Sequence, residues 1–266
     1  PPPPPALPQI TILDRQGKTV RTVAEPERYS DPTFSPDGSR IVVRKTPETV
    51  GDIEIYTFDV PTGKGNLIAK SNQITFSNML WSPDGKQVFY VVNRPGGFGT
   101  IMRKAADGSG SEEELFRYTP GAPVNINDIT PDGKFLTFDS GGVILILPLT
   151  GGDSASRQAV EIARDENFFF GGRFSPDGRS IAYLWTGTDR SEMYVQAFDP
   201  VSGKLGESKL QLTKDGVSSI VSWRADGREL YYRKGDMSDS LTMSVAVTTA
   251  PRLQASTPQF LFRGAG

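Results

Sequence analysis

One five-residue pattern occurs five times along the chain and limits the folds open to it. The pattern runs apolar residue, Ser or Thr, Pro, Asp and Gly, and the fifth copy departs from it with Arg and Ala in its second and third places. The five copies end at Gly38, Gly85, Gly133, Gly178 and Gly227, which are 45 to 49 residues apart. A repeat of that length is typical of β-propellers, in which each repeat forms about one four-stranded blade. The repeat therefore predicts an all-β fold assembled from blades.

Each copy has the chemistry of a tight turn between two strands. Proline presets φ to about −65° at a turn corner, aspartate accepts hydrogen bonds from turn amides, and glycine supplies a positive φ. A second strand follows at once, as in Arg40–Arg44 and Gln87–Val91. Because five copies stand at blade spacing, we interpret aspartates such as Asp84 and Asp177 as turn formers rather than as catalytic or metal-binding acids.

Two residue types that are absent from the sequence exclude most catalytic chemistry. The 266 residues contain no His and no Cys, so a Ser-His-Asp or Cys-His apparatus, a disulfide and a thiolate metal site cannot form. The 29 basic and 31 acidic residues include no Lys or Arg run that would follow a phosphate backbone. The longest apolar run, Val143–Leu149, is too short to span a membrane. We therefore expect no catalytic residue, no metal, no cofactor, no nucleic-acid partner and no membrane span.

The Ser-Pro-Asp-Gly repeats resemble the PD40, WD40-like repeats of the TolB-like propeller family. Further segments, among them Ile12–Lys18, Arg103–Ser109, Trp223–Tyr232 and Pro258–Arg263, are similar to a recurring bacterial architecture. In that architecture the propeller follows a serine/threonine kinase domain and a membrane span, or stands alone outside the cytoplasm. The resemblance implies a six-bladed propeller, a sensor-like role and an extracytoplasmic location in the periplasm or at the cell surface.

The start of the chain is interpreted as a spacer. Pro1–Pro5 favours an extended polyproline helix. Residues 1–9 are therefore predicted to be a proline-rich spacer, and residues 10–266 a single propeller domain. The five motif copies predict five complete blades, with Leu261–Phe262 in the last strand of the fifth.

A sixth, closing blade is expected to be incomplete. Ile10–Leu13 and Thr19–Val23 read as its third and fourth strands, and no sixth Asp-Gly motif follows the fifth blade. Either residues beyond Gly266 supply the other two strands, or the blade has only two. A half-blade presents unpaired strand edges, to which a partner chain can add a strand.

Ligands of propellers usually meet the mouth of the central channel, where the innermost strand of each blade begins. Residues just before each motif are therefore candidates for ligand binding. The candidates, chosen among the polar and aromatic residues of these segments, are Tyr29, Asp31, Phe76, Asn78, Asn125, Asn127, Asp128, Asn167, Phe168, Arg173 and Ser218.

Two groups among these candidates leave alternatives open. Asn125, Asn127 and Asp128 could coordinate a hard cation such as Ca²⁺ through oxygen atoms, or could cap turns. Phe168–Phe170 cannot all face the core of a strand, because alternate side chains point to opposite faces. At least one of these rings is therefore expected to be exposed, and it is a candidate for ligand binding.

The sequence thus favours a non-catalytic binding or scaffolding module for a protein, peptide or cell-envelope ligand. The alternative is a metal-dependent hydrolase or lactonase-like propeller with its site in the channel, since such chemistry can use carboxylates without His. It requires several converging acids, and the innermost segments clearly supply only Asp31 and Asp128. A third possibility is the accessory propeller of a prolyl-oligopeptidase-like peptidase, although no Gly-x-Ser-x-Gly elbow occurs.

Overall fold

The computed structural model describes residues 7, 9–13, 18–48, 52–71, 75–76, 78–94, 98–119, 122–151, 156–164, 167–235, 240–249 and 252–263. The regular elements of these residues are all β-strands, as the repeat predicts. No helix that is long and apolar enough to cross a membrane occurs among them. The chain divides into two compact units, Pro1–Gly121 and Ala122–Gly266.

The first unit contains a hairpin and two blades. The hairpin is a two-stranded antiparallel sheet of β1 (Thr11–Leu13) and β2 (Thr19–Thr22). The first blade is the meander of β3 (Tyr29–Phe34), β4 (Arg40–Lys45), β5 (Ile53–Asp59) and β6 (Gly65–Ser71). The second blade comprises β7 (Thr75–Phe76), β8 (Leu80–Trp81), β9 (Gln87–Arg94), β10 (Phe98–Ala105) and β11 (Glu113–Tyr118). In this blade β7 and β8 both pair with β9 and together form the innermost strand.

The second unit contains three blades. The third blade is formed by β12 (Val124–Ile129), β13 (Phe135–Ser140), β14 (Val143–Pro148) and β15 (Val160–Ala163). The fourth is formed by β16 (Phe168–Phe174), β17 (Ser180–Thr186), β18 (Ser191–Asp199) and β19 (Lys204–Gln211). The fifth has β20 (Ser219–Trp223), β21 (Glu229–Lys234) and β22 (Leu241–Thr248), with β23 (Gln254–Ala255) and β24 (Gln259–Arg263) both paired to β22. The predicted last strand of the fifth blade is thereby confirmed.

The motif forms the turn that its residue types predict. In the fourth blade the buried Ser175 hydroxyl donates to Asp177 Oδ1 at 2.6 Å and accepts a hydrogen bond from the Ser180 amide at 2.9 Å. Asp177 Oδ1 also accepts a hydrogen bond from the Arg179 amide, and Gly178 has a φ of 68°. The motif aspartate is therefore committed to the turn in this blade, as interpreted from the sequence.

The same bonds recur in the first three blades. The hydroxyls of Ser35, Ser82 and Thr130 take the place of the Ser175 hydroxyl. In the first blade, hydrogen bonds from Ser35 and Ser39 lower the pKa of Asp37 to about 2. The fifth blade lacks the hydroxyl, and there the Arg224 guanidinium lies 3.4 Å from Asp226.

Within each unit, neighbouring blades pack against each other through apolar faces. Trp81 and Tyr90 of the second blade share a buried cluster with Val42 and Ile55 of the first. The third and fourth blades share a second cluster, and the fourth and fifth a third. The Trp81 indole also donates a hydrogen bond to the Thr33 carbonyl of the first blade at 3.0 Å. Burial of apolar faces between blades is thus the main source of cohesion within each unit.

The β1–β2 hairpin covers only part of the first blade. Ile12 and Val23 pack against Ile41 and Val43, but Phe34 is 52% exposed. Its motif counterparts in the second and fourth blades, Trp81 and Phe174, are only 7% and 5% exposed, and each belongs to a buried cluster shared with the preceding blade of the same unit. Phe34 therefore lacks the cover that a preceding four-stranded blade gives to its counterparts.

Five blades are confirmed, and β1 and β2 form a separate two-stranded sheet where the sequence predicts two strands. That these strands belong to a closing blade stays a prediction. The six-bladed ring and the single domain over residues 10–266 stay predictions. So does the proline-rich spacer, of which residues 1–6 and 8 lie outside the described residues.

Candidate binding site on the inner strands of the third and fourth blades

Each innermost strand carries one more residue than the stretch of the second strand that it faces. In the fourth blade Phe170 pairs with Leu184 and Arg173 pairs with Ala182. The two pairs are therefore three residues apart on β16 but only two residues apart on β17. Equivalent register shifts occur in β3, β12 and β20, and between β7 and β8. Such a β-bulge changes the direction of the side chains around it. The polar residues that precede each motif therefore lie at an irregular point of an otherwise regular sheet.

In two blades, the bulge contains a residue whose backbone adopts the left-handed conformation. Asp31 and Gly171 each stand three residues before the motif, and their φ values are 56° and 72°. Aspartate is one of the few side chains that tolerate this region, and glycine adopts it freely. In the fourth blade this geometry directs the Gly171 amide to a carboxylate on the third blade.

That carboxylate belongs to Asp139, a buried residue of β13. Asp139 accepts hydrogen bonds from the side-chain amides of Asn127 at 2.7 Å and Asn125 at 3.3 Å, and from the Gly171 amide at 3.3 Å. Burial raises the pKa of Asp139, and these donors together with the Arg173 charge oppose the rise. Asp139 is thus the centre of a polar network that joins the inner strands of two blades.

Asp128 and Arg173 make two further links between these blades. Asp128 Oδ2 accepts a hydrogen bond from the Phe174 amide at 2.8 Å, and its Oδ1 accepts one from the Ile129 amide at 2.9 Å. Burial raises the pKa of Asp128 to about 6, although Arg173 and both amides favour the charged form. The Arg173 guanidinium in turn donates from Nη1 to the Asn127 carbonyl.

The arrangement presents hydrogen-bond donors to a ligand. Within the described part of the chain, the Asn127 carbonyl is the hydrogen-bond acceptor of the Arg173 side chain, whereas a guanidinium carries five N–H donors. Arg173 is half-buried and Asn125 is exposed, so both are accessible from solvent. A planar fork of donors that a neighbouring blade holds in place is suited to a carboxylate or carbonyl group.

Metal binding finds little support in this geometry. The side-chain amides of Asn125 and Asn127 donate hydrogen bonds to Asp139. Both carboxylate oxygens of Asp128 accept hydrogen bonds from backbone amides. Across the described ranges, no group of three or more His, Cys, Asp or Glu side chains could hold a metal ion.

Four of the eleven candidate residues therefore come together, namely Asn125, Asn127, Asp128 and Arg173. Three others lie near the start of inner strands in the same unit. Asn167 is half-buried, Ser218 is exposed, and Phe168 is 60% exposed and lies against Gly142. Because Phe168 is exposed while the adjacent Phe169 is buried, the prediction that the phenylalanine run exposes at least one ring is confirmed.

The remaining candidates belong to the first unit. Tyr29 packs edge to face against Phe58 at 5.6 Å, and Asp31 forms an ion pair with Arg44 at 2.6 Å. Asn78 is exposed between β7 and β8, and the side chain of Phe76 lies outside the described residues. Tyr29 and Asp31 thus stabilise the first blade itself.

Sequence reasoning missed Asp139, the acceptor at the centre of the network. It considered only the innermost strands, whereas Asp139 lies on the second strand of its blade. A signal was present, because Asp139 is the one charged residue in the segment Phe135–Ser140, which is buried throughout. A carboxylate in such a strand needs buried donors, and the nearest side-chain amides in the sequence are those of Asn125 and Asn127.

Comparison with known proteins agrees with this architecture. TolB from Acinetobacter baumannii superimposes with a TM-score of 0.66 and 21% identity, over 97% of this chain and 60% of TolB. A protein named as TolB from Agrobacterium tumefaciens gives a TM-score of 0.64 and 20% identity, over 94% of this chain and 86% of that protein. The fold is therefore that of a TolB-like β-propeller, as the repeats imply.

Proteins named for peptidase activity share the fold. Prolyl oligopeptidase B from Galerina marginata gives a TM-score of 0.63 and 12% identity, over 94% of this chain and 38% of the enzyme. In sequence, a Sulfurisphaera tokodaii protein described as a Tricorn-like protease C-terminal subunit is 27% identical over 131 residues, which are 49% of this chain and 14% of that protein. No family model matches the chain. Because one fold serves both kinds of protein, function has to be argued from the site.

The raised pKa of Asp128 predicts how stability varies with pH. The folded-state value of about 6 exceeds the ordinary value of 3.8, so between about pH 4 and pH 6 the folded state keeps a proton that the unfolded state releases. Stability should therefore fall as pH rises through this window. Replacing Asp128 by Asn removes this titration, and urea unfolding at several pH values should show wild type losing stability relative to Asp128→Asn up to about pH 6. A difference that is constant from pH 4 to pH 7 would contradict the assignment.

Proposed function

We propose that this TolB-like propeller is a non-catalytic binding module that recognises a protein or peptide ligand outside the cytoplasm. The observation that carries the proposal is the network around Asp139, which fixes two asparagines and stands beside an Arg173 guanidinium with accessible donors. The extracytoplasmic location and the sensor-like role follow from the resemblance of the repeats and segments to the bacterial architecture.

The chemistry of the site favours a ligand with a carboxylate group. Arginine donates two parallel hydrogen bonds to a carboxylate, and such charge-assisted pairs are stronger than neutral ones. The Arg173 side chain is already oriented by the Asn127 carbonyl, so less conformational entropy is lost on binding. An acidic side chain or a chain terminus of a partner protein supplies a suitable group.

A second mode of partner binding is supported by the closing blade. In the described residues β1 pairs only with β2, which leaves its other edge open, and the nearby Phe34 ring is uncovered. An added pair of strands would hydrogen bond to the open edge of β1 and cover Phe34, as the first blade covers Trp81 and the third covers Phe174. We include strand addition at this edge in the proposal.

The test is capture of ligands from a bacterial envelope extract, with wild-type protein and an Arg173→Gln variant compared by quantitative mass spectrometry. We expect the variant to recover at least tenfold less of the specific ligand, because the neutral amide cannot form the bidentate pair. Arg252→Gln, which changes an exposed arginine of the fifth blade, is the matched control and should capture as wild type does. Equal recovery by wild type and Arg173→Gln would overturn the assignment of the site.

A metal-dependent hydrolase or lactonase-like enzyme is the second candidate function. It is favoured by the two carboxylates, Asp128 and Asp139, that lie around Arg173 and have raised pKa values because of burial. A metal that binds only the folded state stabilises it, and the stabilisation grows with the logarithm of the metal concentration above the dissociation constant. The binding proposal predicts a melting temperature that changes by less than about 1 °C when millimolar CaCl₂, MgCl₂ or ZnCl₂ is added. A rise of several degrees with one of these ions would favour the enzyme.

A further inference from the structure

A cavity of about 300 Å³ lies at the hairpin end of the fourth blade, where β17 turns into β18. Its wall is formed by different residues from those around Arg173. The side chains that matter here are Trp185, Asp189, Arg190, Glu192, Gln211 and Lys214. Trp185 and Glu192 are cross-strand partners, and they bring an indole ring and a carboxylate to the same face of the sheet.

Three polar groups of the cavity are held in place by their neighbours. The buried Glu192 accepts a hydrogen bond from the Thr213 hydroxyl at 2.7 Å and lies 3.2 Å from Arg190 Nε. The Gln211 amide donates to the Thr213 carbonyl at 2.8 Å. Glutamate, arginine and glutamine are planar groups that each place two hydrogen-bonding atoms side by side. The cavity therefore presents planar polar groups in fixed orientations.

The indole ring of Trp185 is fixed as well. It meets Tyr194 edge to face, with ring centroids 6.4 Å apart. Gly187 lies against the far edge of the ring, and a Cβ atom at that position would come within 2.8 Å of it. A fixed aromatic ring beside hydrogen-bonding groups suits a ligand with one apolar and one polar side.

The charges of the wall identify the kind of polar group that fits. Arg190 and Lys214 only donate hydrogen bonds, Asp189 and Glu192 only accept them, and Gln211 does both. The two positive and two negative charges balance, so neither an anion nor a cation is favoured as a whole. A hydroxyl group both donates and accepts, and pairs of adjacent hydroxyls match the planar side chains.

We propose that this cavity binds a neutral oligosaccharide. The apolar C–H face of one pyranose ring stacks on Trp185, and its hydroxyls bond to Asp189, Arg190 and Gln211. A cavity of this volume accommodates one sugar ring, at the lower end of the range for small-molecule sites.

A second cavity indicates how far the ligand extends. It has a volume of about 470 Å³ and shares Arg190 with the first. Its wall includes the hydroxyls of Ser191 and Ser218 and the ion pair between Asp215 and Lys234. The shared arginine makes the two cavities neighbours, so the ligand is a chain of two or three sugar units.

The experiment measures saturation-transfer difference NMR of the intact chain with cellotriose, maltotriose and chitotriose as probes. We expect at least one trisaccharide to bind with a dissociation constant of about 0.1–1 mM. Asp189→Ala and Gln211→Ala remove exposed hydrogen-bonding groups and should weaken binding by at least fivefold. Trp185→Phe keeps an aromatic ring against Tyr194 and should weaken it about tenfold.

The controls separate sugar binding from general effects on the fold. Gln254→Ala alters an exposed glutamine of β23 and should bind as wild type does. Each variant is first checked for an unchanged melting temperature. Absence of saturation transfer from all three trisaccharides, or equal affinity in wild type, Asp189→Ala and Gln211→Ala, would overturn the proposal. Because Arg173 takes no part, this result is independent of the envelope capture experiment.

Discussion

A hydroxyl–carboxylate pair in the motif turn is the interaction on which the remaining structure depends. In four blades a Ser or Thr hydroxyl accepts a hydrogen bond from the backbone amide that begins the second strand. The same hydroxyl donates a hydrogen bond to the motif aspartate, which stands two residues further along the chain. These hydroxyls are buried or nearly so, and a buried amide without an acceptor costs about 1–3 kcal/mol. The pair therefore fixes where the first strand ends and the second begins.

The fixed turn has consequences for the residues that precede it. Because the register at the motif is set, the extra residue of each inner strand falls upstream, where it forms the bulge. In the third and fourth blades the bulge brings Asp128 to the Phe174 amide and the Gly171 amide to Asp139. The polar network of the candidate site is thus a product of the same turn that builds the blade. Arg173 stands one residue before the motif, and its position follows from that register.

The sequence was sufficient to predict the blades, the turns and four residues of the polar network, because each depends on local pattern. The motif glycines marked the turns, and the inner-strand residues Asn125, Asn127, Asp128 and Arg173 were identified from their distance to the motif. Asp139 was missed because its partners are set by pairing between strands and between blades, which no local pattern shows. The cavity beside Trp185 was missed for the same reason, since its wall combines the ends of three strands with the turn between β17 and β18.

The most direct measurement of the central role of the turn is the free energy of unfolding of Ser175→Ala, obtained from urea denaturation. The substitution removes the acceptor of the Ser180 amide and a donor to Asp177. The account predicts a loss of about 1–3 kcal/mol, whereas Ser208→Ala, at an exposed position of β19, should stay within about 0.5 kcal/mol of wild type. Equal stability of the two variants would contradict the account.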